Sequence, residues 1–188
     1  MKVYRFSVQA GYEWVVAVNH ADFEVFRGFD GTIRIAGWRP VRVKLVRQDE
    51  GGKPYAESDF PWLGEHAPVM RPRAVDVLRA TLGEDGEMLP LDCPEADLKV
   101  LNVLRVVDAL DLERSKLVRF PSTGRIMTVE SHIFHAERLR GVKVFKVPEL
   151  LRTEAFVTDE VVKLVESSGL KGVGFRLVWD EASARQRV

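Results

Sequence analysis

The chain has 188 residues, 46% of them hydrophobic and 30% charged, a composition that suits one substantial core and an ordinary globular protein rather than a disordered one. Its 28 basic residues balance 28 acidic ones, so no global charge steers it toward nucleic acid or an anionic membrane. A single cysteine, Cys93, excludes an internal disulfide framework and fits a reducing compartment.

The opening residues, MKVYRFSVQAGYEW, lack the apolar core of roughly 7–15 residues that a signal peptide needs. No apolar run approaches the roughly 20 residues that would cross a bilayer, so a cytoplasmic location without membrane attachment is expected. Residues 2–8 and 13–18 are rich in β-branched and aromatic side chains and read as strands, separated by Ala10-Gly11. Residues 29–38 carry the turn pair Asp30-Gly31 followed by alternating Ile33 and Ile35, which predicts a strand, and 41–46 alternates in the same way. A Pro- and Gly-rich loop spans 48–70. A helix is expected at about 71–82, with Pro72 in its first turn, a stripe of Ala74, Val75, Val77, Leu78 and Leu82, and Gly83 as its stop.

Residues 83–97 read as an acidic loop with one buried strand fragment near 88–91. VLNVLRVVDALDLERS (100–115) is apolar enough for core yet holds Asn102, Asp108, Asp111 and Ser115. Its β-branched density favours extended structure, with the polar residues at strand ends or a bulge, where their side chains bond local backbone. Residues 124–130 and 142–147 are expected strands around one helical turn. VTDEVVKLVESSGL gives a second main helix at about 159–168, with Thr158 as N-cap and Gly169 as stop. A last strand covers 172–179, and 181–188 is expected to fray. The fold class is therefore α+β, one domain over 1–180, mostly antiparallel. Residues 1–47 form a strand-rich part, 48–70 a loop and 71–180 the remaining core.

Catalytic patterns are missing. His132 and His135 have a metal-like spacing, but residues three apart on a strand face opposite ways, and they read as surface or core residues. No serine occupies a nucleophile elbow. The glycines Gly169, Gly172 and Gly174 follow a helix instead of opening one, so they suit a helix stop and a close strand approach and not a phosphate loop. No catalytic residue, metal ligand or cofactor is assigned. Charge is unevenly spread, however. Residues 83–113 hold nine acids against Lys99 and Arg105, whereas the stretch from 114 onward has a basic excess.

Several motifs in order resemble a family of bacterial immunity proteins, the eleventh in the usual listing of polymorphic-toxin immunity families. They are Trp38-Arg39-Pro40, Asp59-Phe60-Pro61, Pro68 with Arg71-Pro72-Arg73-Ala74 and Leu78, and Met88-Leu89-Pro90-Leu91. Leu101-Asn102-Val103 and Val107-Asp108-Ala109-Leu110-Asp111 with Ser115 follow, then Leu139, Gly141 and Phe145-Lys146. The series closes with Phe156-Val157-Thr158-Asp159 and the glycines up to Phe175.

The resemblance implies a non-catalytic, immunity-type domain that stays in the cytoplasm and binds a cognate toxin encoded by the adjacent gene. The toxin of such systems is often a nuclease, and occlusion is the expected mode. Against a basic nuclease groove, the acids Glu84, Asp85, Glu87, Asp92, Glu95 and Asp97 are the expected contacts, with Trp62 as an aromatic anchor. A direct nucleic-acid contact is not expected. The alternatives are a small hydrolase or transferase with an unrecognised site, or a regulatory domain that self-associates through a strand edge. The oligomeric state is left open.

Overall fold

The computed structural model describes residues 1–185. Its strands are β1 (Lys2–Val8), β2 (Trp14–Ala17), β3 (Val43–Val46), β4 (Val69–Met70), β5 (Gly86–Pro90), β6 (Lys99–Val103), β7 (Lys116–Arg119), β8 (Ile126–Ser131), β9 (Val144–Phe145), β10 (Phe156–Thr158) and β11 (Val173–Asp180). The helices are α1 (Phe23–Arg27), α2 (Pro72–Leu82), α3 (Asp159–Ser167) and α4 (Glu181–Arg185). All strand pairs are antiparallel, so the α+β expectation holds.

The central sheet runs β11-β1-β10-β9. Because successive side chains alternate between faces, Tyr4, Phe6, Val144, Val157, Val173 and Phe175 turn to one side and pack with α2 and α3. Val3, Phe145, Phe156 and Trp179 turn to the other, where Leu110, Phe134, Leu139 and Leu150 cover them. A third cluster, containing Phe26, Phe29, Val43, Leu89 and Val100, lies beneath the two-stranded β2-β3 sheet and the three-stranded β4-β6-β5 sheet.

Both main helices form where their apolar spacing predicts. Pro72 occupies the first turn of α2, and Gly83 follows it at φ +51. Thr158 is the N-cap of α3, but its hydroxyl donates to the Val142 carbonyl at 3.2 Å and not into the helix. Thr158 also ends β10, and its hydroxyl accepts no hydrogen bond from the N–H groups of the helix. Gly172 shows why glycine is required beyond that helix. It is buried at φ +89, and a Cβ there would lie 1.7 Å from Ser58 Oγ.

The strand expected at 29–38 does not form. Asp30-Gly31 makes its turn, with Thr32 N donating to Asp30 Oδ1, but Ile35–Gly37 is a short 3-10 turn. The N–H groups of Arg34 and Ile35 are taken by the Glu87 carboxylate instead of a ladder partner, and the Arg34 guanidinium folds back onto the Gly28 carbonyl. The strand expected over 142–147 shrinks to Val144–Phe145, because the Lys146 backbone pairs with 105–107 instead. Short elements at Phe23–Arg27, Lys116–Arg119 and Phe156–Thr158 went unpredicted. The tail expected to fray begins as α4; residues 186–188 lie outside the described residues.

The polar residues of 100–115 serve architecture. Asn102 is fully buried, and its Nδ2 donates to the Thr32 carbonyl at 2.9 Å and to Glu87 Oε1 at 2.7 Å. Asp111 accepts from the N–H groups of Glu113 and Arg114, closing a turn. Ser115 Oγ accepts from Ile133 N at 3.0 Å. Asp108 pairs with Arg138 at 2.9 Å.

Lys146 is fully buried, and its Nζ donates to the carbonyls of Phe29 (2.8 Å) and Leu151 (2.7 Å). Burial pulls its pKa down to about 8, so the ammonium is still protonated at neutral pH. Lys146→Met should therefore leave two carbonyls without donors and cost about 2–4 kcal/mol. Urea unfolding at pH 7 checks this; an unchanged midpoint would mean that the two bonds do no more than offset the cost of burying the ammonium.

Candidate interaction surface

The acidic residues expected to meet a partner fall into two groups. Glu84 and Asp85 lie in the 3-10 turn after α2 (Gly83–Asp85), and Glu87 is on β5. Asp92, Glu95 and Asp97 surround a tight turn in which Leu91 N bonds the Leu98 carbonyl. Five residues of extended chain separate Glu87 from Asp92, about 17 Å.

Their availability differs. Glu87 is spent inside the protein: Oε1 accepts from Arg34 N (2.6 Å) and Asn102 Nδ2 (2.7 Å), and Oε2 from Ile35 N (3.1 Å). Asp92 pairs with Arg42 at 2.9 Å. Glu95 accepts from Cys93 Sγ at 3.1 Å, and this bond is the main cause that lowers its pKa; burial first, then Glu95, raises that of the thiol. Glu84 and Asp97 are exposed, and Asp85 is half-buried with its backbone carbonyl bonded to Leu104 and Arg105 N–H groups. Glu84, Asp85 and Asp97 make no ion pair among the described residues.

The sequence pattern missed the surface beside Glu84 and Asp85. Ile33 and Ile35, expected in alternation on a strand, are 72% and 53% exposed. They stand on the 30–37 segment, which the Glu87 carboxylate and the Arg34 guanidinium over the Phe29 ring (5.7 Å) hold in place. Val106, 40% exposed, lies against Gly31, where a Cβ would meet its Cγ2 at 2.6 Å. Asp30, Glu84, Asp85, Arg34 and Arg105 surround these side chains in the chain path.

Trp62 is elsewhere. It is half-buried, and its carbonyl accepts from Val15 N on the outer edge of β2. Asp92 pairs with the far edge of the other strand, so Trp62 and Asp92 flank the β2-β3 pair from opposite edges and opposite ends. Trp62 and Trp14 line an open cavity of about 400 Å³ with Val16, His20, Phe23 and Leu63. A second cavity, about 690 Å³, lies between the β7-β8 hairpin and residues 148–153.

The histidines stand apart from one another in role. His132 is buried, stacked on Phe134, with Nε2 3.4 Å from Glu154; His135 faces Glu137 at 3.8 Å. No group of three or more His, Cys, Asp or Glu that could hold a metal occurs among the described residues. Nor is any helix among them long and apolar enough to cross a membrane.

An α+β domain that leaves apolar and acidic side chains on a fixed surface is the class that these features define. Residues 94–180 match the model of the Immunity protein family (Imm11), consistent with an immunity protein of polymorphic toxin systems. The family resemblance seen in the sequence thus holds over that segment, and the motifs at 38–91 precede it. No curated protein matches the chain.

His66 sits behind the Trp62 cavity, edge-on to Phe23. Burial, then the charges of Lys146 and Arg27, push its pKa from 6.5 to about 4. The folded state therefore resists protonation while the unfolded chain accepts it, so stability is whole above pH 6.5 and falls as pH drops toward 4. Wild type should lose up to about 3 kcal/mol over that range beyond the loss in His66→Phe. Denaturant titrations at several pH values check this; parallel curves would reject the burial of a neutral His66.

Proposed function

We propose that this chain is a cytoplasmic immunity protein that binds a cognate toxin and neutralises it by occlusion, with no catalysis of its own. The match of residues 94–180 to an immunity family carries the reading. The surface is in keeping with it: His66 and Lys146, the groups that burial shifts furthest, line neither cavity described above. A site for acid–base work would bring such groups together in a cleft.

The toxin is expected from the adjacent gene, and a nuclease with a basic substrate groove fits best. Glu84, Asp85 and Asp97 are the acids left for it, with Trp62 as a separate anchor. Asp92 and Glu95 contribute through the field that they add, and Glu87 by fixing the surface. Neutralising a lethal enzyme demands tight binding; a dissociation constant of 1 nM is about −12 kcal/mol, reached over about 800 Å² per partner when a few contacts dominate.

Co-expression with the toxic domain encoded next door tests the function: cells should survive only when this protein is present. Reversing Glu84, Asp85 and Asp97 to Lys should slow association about tenfold at low salt, with a smaller effect at high salt. Stopped-flow mixing measures it, and an unchanged association rate would remove these acids from the interface.

A further inference from the structure

Ile33 and Ile35 raise a physical problem that the fold does not answer. Exposed isoleucines are ordinary one at a time, but here two stand within three residues, beside a third exposed apolar side chain, Val106. Such side chains on a floppy loop would collapse onto the nearest apolar surface. This segment cannot, because its backbone is held from behind. The Glu87 carboxylate takes the N–H groups of Arg34 and Ile35, and Asn102 takes the Thr32 carbonyl while bonding the same carboxylate. The Arg34 guanidinium is held by Gly28 and Asp30. One buried side chain, Asn102, and two half-buried ones, Glu87 and Arg34, are thus used to keep an apolar tip in water.

We infer that Ile33, Ile35 and Val106 form the apolar anchor of the toxin interface, and that Glu84 and Asp85 are its acidic rim. This deepens the reading of the chain as a toxin-binding protein and rests on it. The occupant is a cleft on the toxin with an apolar floor and a basic edge. Charge selects it: Asp30, Glu84, Asp85 and Glu87 outnumber Arg34, Arg105 and the buried Lys146 around the tip, and Glu84 and Asp85 make no ion pair among the described residues, so a basic rim is attracted and an acidic one repelled. Desolvated apolar side chains at the centre of an interface set its lifetime, whereas rim charges set the encounter rate.

The two contributions separate kinetically, which makes the assignment testable with the full chain and the toxic domain from the neighbouring gene. Ile33→Ser combined with Ile35→Ser should weaken binding at least 100-fold, almost wholly through faster dissociation, and leave the melting temperature unchanged. Leu177→Ser, 47% exposed on the edge of the central sheet, is the control and should bind as wild type does. Glu87→Gln keeps the side-chain shape but weakens the two backbone bonds, and should give an intermediate loss with faster amide exchange at residues 34 and 35. If wild type binds and protects while the double serine variant does so equally well, the anchor is elsewhere and the immunity reading survives. An equal loss in Leu177→Ser would also overturn the assignment. Should wild type itself neither bind nor protect, the functional reading falls, and the anchor with it.

Discussion

Lys146 joins three separate parts of the chain. Its backbone N–H donates to the Arg105 carbonyl, its own carbonyl accepts from Val107, and its ammonium reaches Phe29 and Leu151. A charge in a fully buried position costs several kcal/mol to desolvate, and here no carboxylate contacts it. Burial lowers its pKa to about 8; the more distant Asp30 offsets part of that shift and Arg34 adds to it. The consequence is geometric. Phe29 begins the segment that carries Ile33 and Ile35, and 105–107 carries Val106, so one residue touches both halves of the exposed apolar surface, the first through its ammonium and the second through its backbone. That surface joins residues of the N-terminal part to residues of the family-matched segment.

The same use of buried charge recurs. Glu13, almost fully buried, receives Arg71 Nη2 at 2.5 Å and the Ser58 N–H, and so ties β2 to the start of α2 across the long 48–70 loop. Arg5 spans Glu154 at 2.5 Å and Glu65 at 2.8 Å on one face of the central sheet, and burial raises the Glu65 pKa despite Arg5. These networks do not add much net stability compared with apolar residues of the same size, but removing one partner strands the other. They define how segments without regular structure are placed. Long connections such as 48–68 and 104–115 need such pins, since no sheet ladder holds them.

Periodicity made the long elements legible: β1, β11, α2 and α3 lie close to where alternation or a helical stripe puts them. Gly172 and Gly169 also read correctly, since a helix stop and a close approach leave glycine as their trace. What failed was the stretch 29–38, and the failure is instructive. Ile33 and Ile35 alternate as a strand would, but alternation reports only that two side chains share a side, and says nothing of what covers them. The partner for the N–H groups at 34 and 35 is a glutamate more than fifty residues away. Acid counting misled for the same reason. Glu87 and Glu84 are equivalent in sequence, yet one accepts three hydrogen bonds inside the protein and the other meets solvent.

The proposed inhibition would favour the arrangement described. Association loses translational and rotational freedom, and each loosely held side chain ordered at an interface costs about 0.5–1.5 kcal/mol more. A β-branched residue on a backbone pinned from behind has little of that freedom left to lose, so more of the apolar area that it buries appears as affinity. Burying an isoleucine is worth about 1.5–3 kcal/mol, and two of them with a valine amount to a large part of the difference between a micromolar and a nanomolar complex. Acids at the rim add speed without needing to be buried, so they avoid the desolvation that makes Lys146 expensive. In the proposed interface, apolar centre, charged edge and rigid support would divide lifetime, encounter and pre-organisation among different residues.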